Sequence, residues 1–338
     1  MPRISILMPI YKTKEAHLCQ AIESVLSQTE TDFELLILND SPNEKYLDDL
    51  VAKYHDKRIK YFKNKENMGI TYSHNRLLEL ATGKYLAVMD HDDVMYPDRL
   101  ARQVSYMESN PQVGICGTAY KRFGLWNKRG VVRSPKDSDI IKAGLFFKCT
   151  MLHPSIMMRA DVLKKYHISY DPDYISANDR RLFLDVMPYV DFYNLSEVLM
   201  KYRMHANMTS RTKRDEIVVE QKQLRQEMLA KIQVKLSNAE LSILNDYALK
   251  GRCRIKDKNI LNQVERVLLK INAANQKSAY FPTQAFSKLC AKYLVKRCLN
   301  AAFYGRISSK ELLKKTQLPV QQVKVPLVLK ICNFILPK

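Results

Sequence analysis

The sequence predicts an α/β fold, in which helices cover both faces of a mostly parallel central sheet, followed by a mostly helical C-terminal region. Three observations support this prediction. Short, nearly continuous apolar runs alternate with segments of helical spacing through residues 3–119, as expected for strands buried on both faces. Turn signals separate these segments. From about Thr209 onwards, glycine, proline and strand-like runs become rare.

Five apolar runs are predicted strands because each is short and bounded by turn residues. They cover residues 3–10, 33–38, 59–62, 85–89 and 113–119. The second runs into the turn signal Asn39-Asp40-Ser41-Pro42, and the fourth runs directly into Asp90-His91-Asp92-Asp93.

Helices are predicted between these strands. Thr13 is placed to cap the first, and Tyr46, Leu50 and Tyr54 share one face of the second. The third follows Asn67-Met68-Gly69, with Gly83 as its predicted C-terminal cap. Pro97 suits the first turn of the fourth helix. Beyond residue 210, helical spacing dominates, for example at Val264, Val267, Leu268 and Ile271.

The two parts of the chain differ in charge. The 338 residues carry 55 Lys and Arg against 35 Asp and Glu, a net charge of +20. Residues 210–338 hold 26 of the basic and 9 of the acidic side chains, so most of the excess lies there. We therefore predict a domain at 1–210 and a basic helical region at 211–338. A basic region indicates an anionic partner, such as a membrane surface, a nucleic acid or an acidic polymer.

Composition excludes several classes of protein. An apolar content of 46% and a charged content of 27% are those of a globular chain, not a disordered one. The apolar stretch 325–337 carries Lys330 and is shorter than the roughly 20 residues of a spanning helix. Seven scattered cysteines without a CxxC motif indicate reduced thiols in a cytoplasmic protein.

Polar side chains follow three of the predicted strands, at Tyr11, Asp40 and Asp90–Asp93. Ligands of open α/β sheets bind at this edge, outside the carboxyl ends of the strands. The clustered carboxylates repel one another, and a magnesium or manganese ion completed by substrate phosphates would relieve that repulsion. Two simpler interpretations stay open: an acidic turn in which Asp93 caps the next helix, and an Asx turn of Asp40 with Ser41-Pro42.

A longer set of motifs follows one order along residues 2–210. It comprises Met8-Pro9-Ile10-Tyr11-Lys12, Ser27-Gln28, Phe33-Glu34, Asn39-Asp40-Ser41, Asn67-Met68-Gly69, Gly83-Lys84-Tyr85, Asp90-His91-Asp92-Asp93, His153-Pro154-Ser155-Ile156-Met157-Met158-Arg159, Asn178-Asp179 and Tyr202-Arg203-Met204-His205. This order and spacing resemble the family-2 glycosyltransferases, which have the GT-A fold. Residues 211–338 carry none of these motifs.

The resemblance implies a nucleotide-sugar donor, most often a UDP-sugar. The backbone at Pro9, Ile10 and Tyr11 and the carboxylate of Asp40 would hold the base, and Asp90 would face the ribose or the donor sugar. His91 stands where the family often has a small residue. We keep it among the donor-site residues, although a structural side chain that points away is the favoured interpretation.

The resemblance also implies a divalent metal, Mn²⁺ or Mg²⁺, and a general base. Asp92 would bind the metal, His205 would approach it or the diphosphate from a mobile loop, and Asp179 would be the base. A single carboxylate opposite the leaving group implies inversion by one displacement. Asn178 replaces the acidic neighbour usual in the family, which bears on the acceptor. Without the family, Asp179 is interpreted as a helix N-cap and His205 as solvent-exposed.

Three functions are compared on this basis. The favoured one is a glycosyltransferase of the hexosyltransferase class that acts on a glycan or lipid-linked acceptor in bacterial polysaccharide or lipopolysaccharide synthesis. The enzyme would be cytoplasmic, and residues 211–338 would either attach it to the inner face of the membrane or mediate a homodimer. The alternatives are a nucleic-acid-binding protein, for which no binding motif is found, and a non-catalytic nucleotide-sugar-binding protein, against which Asp90, Asp92 and Asp179 speak.

Overall fold

A computed structural model describes residues 1–124, 130–206, 208, 212–249, 254–305 and 307–323. The chain divides into two compact units, 1–141 with 149–220, and 142–148 with 221–338. The predicted boundary at 210/211 therefore lies before the division of the structure at 220/221. The assignment of catalysis to the N-terminal part stays a prediction, and the apolar stretch 325–337 lies outside the described residues.

The strands form one nine-stranded sheet in the order β3-β2-β1-β4-β8-β6-β9-β5, with β7 paired to β6. Their bounds are β1 Ile4–Ile10, β2 Phe33–Asn39, β3 Ile59–Lys63, β4 Tyr85–Val88, β5 Val94–Met95, β6 Val113–Gly124, β7 Val131–Val132, β8 Met157–Arg159 and β9 Asp191–Met204. The five predicted strands are present as β1, β2, β3, β4 and β6.

The helices follow in chain order. They are α1 Glu15–Leu26, α2 Lys45–Ala52, α3 Ile70–Leu80, α4 Arg99–Ser109, α5 Ser138–Phe147, α6 Ala160–Lys165, α7 Asn178–Val186, α8 Arg214–Lys231, α9 Asn238–Ser242, α10 Lys258–Ser278, α11 Thr283–Gly305 and α12 Lys310–Lys315. A π-helical turn, Ile243–Ala248, continues α9, and short 3₁₀ turns lie at His153–Ser155 and Val320–Gln322.

The sheet is parallel at one end and mixed at the other. Strands β3, β2, β1 and β4 are all parallel, which agrees with the prediction for the first half of the chain. Strand β8 runs antiparallel to both β4 and β6, β5 runs antiparallel to β9, and β6 pairs with β9 in parallel. The predicted α/β fold with a helical C-terminal region is confirmed, with a mixed sheet in its second half.

Alternate residues of the parallel strands build the main core. Ile4, Ile6 and Met8 of β1 share one buried cluster with the apolar faces of α1, α2 and α4. Side chains of opposite parity, such as Leu7 and Leu36, are also buried, on the face that α3 contacts. Burial on both faces explains the nearly continuous apolar runs of β1 and β2.

Three predicted helix ends are wrong by a few residues. The N-cap of α1 is Lys14, and the hydroxyl of Thr13 is buried without a partner. Helix α4 begins at Arg99, so Pro97 precedes it. The C-cap of α3 is Ala81 instead of Gly83. Gly83 passes so close to β1 that a Cβ atom there would lie 2.6 Å from the backbone nitrogen of Ser5, and this close approach requires glycine.

A fully buried arginine fixes the end of β4. The guanidinium of Arg99 donates from Nη2 to the carbonyls of Val88 and Ile156, at 3.0 and 3.1 Å. Its Nε donates to Oε1 of Gln103 at 3.0 Å. Because Val88 is the last residue of β4, these bonds hold the strand that leads into Asp90.

The second unit is built from helices. The predicted positions Val264, Val267, Leu268 and Ile271 lie on the buried face of α10. The amide of Asn275 bonds both the N–H and the carbonyl of Phe281, which closes the turn into α11. Within the described residues, no helix is long and apolar enough to cross a membrane.

Candidate active site

The predicted ligand edge of the sheet is present. Ile10 and Asn39 are partners in the register of β1 and β2, and the backbone N–H of Met89 donates to the carbonyl of Leu7 at 3.1 Å. The loops after β1, β2 and β4 therefore start side by side. These loops carry Tyr11, Asp40 and the segment Asp90–Asp93, as the sequence predicts.

Asp40 holds the loop that leads into α3. Its carboxylate accepts from the N–H groups of Met68 and Gly69, at 2.8 and 2.9 Å, and from the side chain of Asn64 at 2.7 Å. Gly69 has φ +86°, which favours glycine. The proposed Asx turn exists, but the side chain of Asn39 forms it, by accepting from the N–H of Ser41 at 2.7 Å. The base-binding role of Asp40 stays a prediction.

The loop after β1 presents an open aromatic ring. Tyr11 is 44% exposed. The next residue, Lys12, has φ +42°, and its Nζ lies 5.4 Å from the centre of the Tyr11 ring. The N–H of Lys12 donates to the hydroxyl of Ser41 at 2.9 Å, which ties this loop to the loop after β2. An exposed ring beside a cation suits the stacking of a base and the binding of its phosphates.

His91 links the acidic loop to the loop after β1. Its Nδ1 lies 3.3 Å from the carbonyl oxygen of Pro9. Burial lowers the pKa of His91, and the charge of Asp92 opposes that effect. This contact gives His91 a supporting role between the two loops, whereas direct contact with the donor stays a prediction.

Asp93 is enclosed and bound to the end of β9. Its Oδ1 accepts from the N–H of Arg203 at 2.8 Å, while Oδ2 is buried without a partner. Burial, followed by the charges of Asp90 and Asp92, raises the pKa of Asp93 well above its ordinary value. The interpretation of Asp93 as a helix cap is wrong, because the N-cap position of α4 is Asp98.

Asp92 is in contact with His205. The Oδ2 of Asp92 lies 2.6 Å from Nε2 of His205, and both side chains are partly exposed. The guanidinium of Arg203 donates from Nε to the carbonyl of Asp92 at 2.5 Å and from Nη2 to Oε1 of Gln20 at 2.6 Å. The end of β9 therefore lies over the acidic loop and brings His205 to Asp92.

A metal ion fits this pair of side chains. Within the described parts of the chain, no group of three or more His, Cys, Asp or Glu side chains could hold a metal. Mg²⁺ and Mn²⁺ are often held by one or two protein ligands together with substrate phosphates. The oxygen of Asp92 and the nitrogen of His205, partly exposed and in contact, are such a donor set. Their role as ligands stays a prediction.

Asp179 lies in the first turn of α7. Its Oδ1 accepts from the N–H of Arg180 at 2.6 Å, and the N-cap position is Ala177, so Asp179 is not the cap. Burial raises the pKa of Asp179, which the bond to the N–H of Arg180 and the charge of that arginine oppose. Burial and the charge of Asp92 raise the pKa of Asp90 to about 7, and the charge of Asp179 adds to this effect. Asp90, Asp92 and Asp179 are therefore neighbours.

Glu220 is a residue that sequence reasoning missed. Its carboxylate accepts from three successive N–H groups, those of Ile175, Ser176 and Ala177, at 3.3, 2.8 and 2.7 Å. These groups directly precede Asn178 and Asp179, so Glu220 fixes the approach to α7. No local signal could have found it, because its partners lie far away in sequence.

A buried ring cluster lies near Asp179. The hydroxyl of Tyr170 lies 2.8 Å from Nε2 of His153, and the ring centre of His74 lies 5.1 Å from that of His153 and 4.8 Å from that of Tyr170. Burial raises the pKa of Tyr170, and the charges of Asp179 and Asp90 add to this effect. Of this cluster, only His153 belongs to a motif that sequence analysis singled out.

Comparison with known proteins identifies the family of this chain. Residues 5–167 match the model of glycosyl transferase family 2. The uncharacterized glycosyltransferase MJ1057 of Methanocaldococcus jannaschii is 31% identical over 225 residues, which span 64% of this chain and 76% of that protein. The chain belongs to glycosyltransferase family 2. The putative glycosyltransferase EpsE of Bacillus subtilis is 33% identical over 213 residues, 60% of this chain and 73% of its own length.

Solved glycosyltransferase structures share the fold of this family-2 enzyme. S. aureus TarS 1–349 in complex with UDP-GlcNAc has a TM-score of 0.58 at 16% identity, over 90% of this chain and 89% of that one. The mannosyltransferase PcManGT of Pyrobaculum calidifontis, in complex with GDP-Man and Mn²⁺, has a TM-score of 0.54 at 14% identity, over 90% and 87%. The predicted family, fold and enzyme class are confirmed.

Proposed function

We propose that this glycosyltransferase transfers a sugar, with inversion, from a nucleoside-diphosphate donor to a hydroxyl of a glycan or lipid-linked acceptor. The observation that carries the proposal is the acidic loop Asp90–Asp93 at the ligand edge of the sheet, where Asp92 lies 2.6 Å from His205 and the charge of Asp179 acts on Asp90. A role in bacterial surface polysaccharide synthesis is supported by the amylovoran biosynthesis glycosyltransferase AmsE of Erwinia amylovora, which is 29% identical over 210 residues, 61% of this chain and 78% of that protein.

The donor would lie across the loops after β1, β2 and β4. The exposed ring of Tyr11 and the backbone of Pro9 and Ile10 offer a surface for the base. Asp40 shapes the neighbouring loop and is available to a base N–H, because an ionised carboxylate has about four acceptor positions and three donors occupy it in the structure. Asp90 would face the ribose or the sugar. A UDP-sugar is the donor we propose, in keeping with the TarS complex.

Asp92 and His205 would hold Mn²⁺ or Mg²⁺. When bound, such an ion neutralises the charge that develops on a diphosphate leaving group. The Nε and N–H groups of Arg203 keep the loop around Asp92 and Asp93 in place from the end of β9. The proposed ligands are therefore held by an anchor that does not itself depend on the ion.

Asp179 would accept the proton of the attacking hydroxyl. A base must be ionised to act, and it is stronger when its pKa is raised. Burial raises the pKa of Asp179, while the N–H of Arg180 keeps the ionised form accessible. Glu220 would fix the backbone just before this base, so that the carboxylate meets the acceptor in one orientation.

The proposal is tested by thermal-shift binding of a panel of nucleotide sugars with and without Mn²⁺. We expect stabilisation by one donor, mainly in the presence of the ion, because metal and diphosphate bind together. Asp92→Ala should fold and should lose the Mn²⁺-dependent part of the stabilisation by the donor. Asp49→Ala makes the same substitution at an exposed aspartate of α2. It is the matched control and should behave as wild type. Equal Mn²⁺-dependent stabilisation of wild type and Asp92→Ala would show that the metal assignment is wrong.

A further inference from the structure

A buried guanidinium in α11 has no ion-pair partner among the described residues. Arg297 is 1% exposed, and its Nε and Nη2 are enclosed without a hydrogen-bond partner. Among the residues with described positions it forms no ion pair with a carboxylate. A charged donor buried without an acceptor is costly. An acceptor from outside the protein chain would remove that cost.

Three lysines lie around this arginine. The rings of Phe147 and Tyr293 stack at 4.8 Å, which brings Lys148, the next residue after Phe147, to α11. On that helix Lys292 and Lys296 flank Tyr293, and Nζ of Lys296 lies 6.0 Å from the centre of its ring. All three lysines are exposed, whereas Arg297 lies one turn beyond Tyr293 and is buried.

The charges of this group act on Lys296. Burial lowers the pKa of Lys296, and the charges of Arg297, Lys148 and Lys292 lower it further. Across the described part of the chain, no carboxylate forms an ion pair with any of the four. Four cations that have no ion-paired carboxylate among the described residues indicate that the anion is supplied by a ligand.

We propose that Arg297, Lys148, Lys292 and Lys296 form a binding site for a phosphate group, carried by an anionic lipid headgroup or by a free phosphate compound. A phosphate offers several oxygen acceptors at once, and a guanidinium donates to two of them from one side. Three exposed lysines and a buried arginine on one stretch of the unit would neutralise a single phosphate group. Such a compact site differs from the extended basic stripe that binds a nucleic-acid backbone.

The first experiment measures thermal stability of the full chain in a phosphate-free buffer and in inorganic phosphate. We expect phosphate to stabilise wild type. Arg297→Met removes the unpaired charge and keeps an apolar side chain of similar length, so it should raise the melting temperature without phosphate and abolish the shift with phosphate. A variant that is less stable than wild type and still responds fully to phosphate would overturn the proposal.

The second experiment does not depend on the folding of that variant. Lys292→Gln/Lys296→Gln changes exposed side chains and should weaken phosphate binding by about tenfold, the scale of one lost charge-assisted bond. The control, Lys277→Gln/Lys310→Gln, removes the same charge from other exposed positions and should bind as wild type. Equal weakening in both double variants would overturn the site, since only total charge would then matter.

Sedimentation with vesicles distinguishes the two sources of phosphate. The probes are vesicles of phosphatidylcholine alone and of phosphatidylcholine mixed with phosphatidylglycerol. If the group is a headgroup, wild type and the control sediment with the mixed vesicles, and Lys292→Gln/Lys296→Gln does not. If it is a free compound, inorganic phosphate stabilises the protein while neither vesicle binds. Absence of binding to both probes would overturn the proposal, and so would tighter binding of a short oligonucleotide than of phosphate.

Discussion

Asp90 and Asp179 are held close although their charges repel. The structure stabilises this arrangement with Arg99, whose charge lowers the pKa of Asp90 against the effects of burial, Asp92 and Asp179. The hydrogen bond from the N–H of Arg180 likewise lowers the pKa of Asp179 against the effect of burial. A site that keeps like charges together in the absence of a ligand has the electrostatic character expected where a cationic group or a proton is to be accepted.

Replacement of Asp179 tests the general base. Asp179→Asn keeps the shape of the side chain and its bond to the N–H of Arg180 but cannot take a proton. We expect kcat to fall by at least ~10²-fold, while the donor binds as tightly as to wild type. Calorimetry of donor binding and steady-state kinetics measure the two effects. Wild-type turnover by Asp179→Asn would exclude this residue as the base.

Ionisation of Asp179 should also determine how the activity declines at acidic pH. Only the ionised carboxylate accepts a proton, and burial raises its pKa above the ordinary value of 3.8. Activity of wild type should therefore decline, as the pH falls, at a higher pH than an ordinary aspartate would give. The profile of kcat/KM measures this, and a limb that stays flat down to about pH 4 would contradict a raised pKa.

At the scale of elements, the loop before α7 depends on helix α8. Glu220 of α8 holds three N–H groups of that loop. Glu220→Gln keeps one acceptor oxygen, so we expect kcat to fall by about tenfold, the scale of one lost bond to a charged group, with the donor KM unchanged. Glu216→Gln, one turn earlier and exposed, is the matched control. A change in donor KM without a change in kcat would exclude the positioning role.

The ring cluster of His74, His153 and Tyr170 makes the free energy of unfolding depend on pH. Burial lowers the pKa of His74 from 6.5 to about 4, so the unfolded chain binds a proton before the folded protein does. The free energy of unfolding should therefore fall as the pH drops from about 6.5 towards about 4. Between about pH 7 and about pH 5 this loss is roughly 2 kcal/mol for His74 alone.

Urea unfolding at those two pH values checks this expectation. His74→Gln should lose less stability than wild type on acidification, because glutamine does not titrate. His55→Gln removes an exposed histidine and should lose as much as wild type. An equal loss in all three proteins would mean that His74 does not contribute to the pH dependence.

Four of the five predicted strands are buried over nearly all of the predicted stretch, and β3, which is partly exposed, is the exception. Strands β1, β2 and β4 are buried along their whole length, so their apolar runs are nearly continuous. Strands β5, β7 and β8 have two or three residues each, too few to form a pattern. Strand β9 alternates irregularly between buried and exposed positions and was missed for that reason.

The site was predictable to the extent that topology determines it. Parallel strands end at one edge, so Tyr11, Asp40 and Asp90 could be placed together before the structure was known. The hydrogen-bond partners of each side chain could not be predicted. The bonds of Asp40 to the 67–69 loop and those of Glu220 to the 175–177 loop join segments far apart in sequence, and only the folded chain shows them.

At the scale of the whole molecule, sequence and structure similarity cover different parts of the chain. The related glycosyltransferases align over 64% and 60% of it, whereas the fold of TarS 1–349 covers 90%. The helical unit therefore has structural counterparts that its sequence does not reveal. Its excess of basic residues was visible in the sequence, but the gathering of Lys148 with Lys292, Lys296 and Arg297 required the fold.

The most direct test of the proposed mechanism is the anomeric configuration of the first product. The enzyme, Mn²⁺ and the donor selected from the panel are followed by ¹H NMR during transfer to a hydroxyl acceptor or to water. We predict the configuration opposite to that of the donor, formed at least ~10²-fold more slowly by Asp179→Asn. A product that first appears with the configuration of the donor would contradict single displacement with Asp179 as the base.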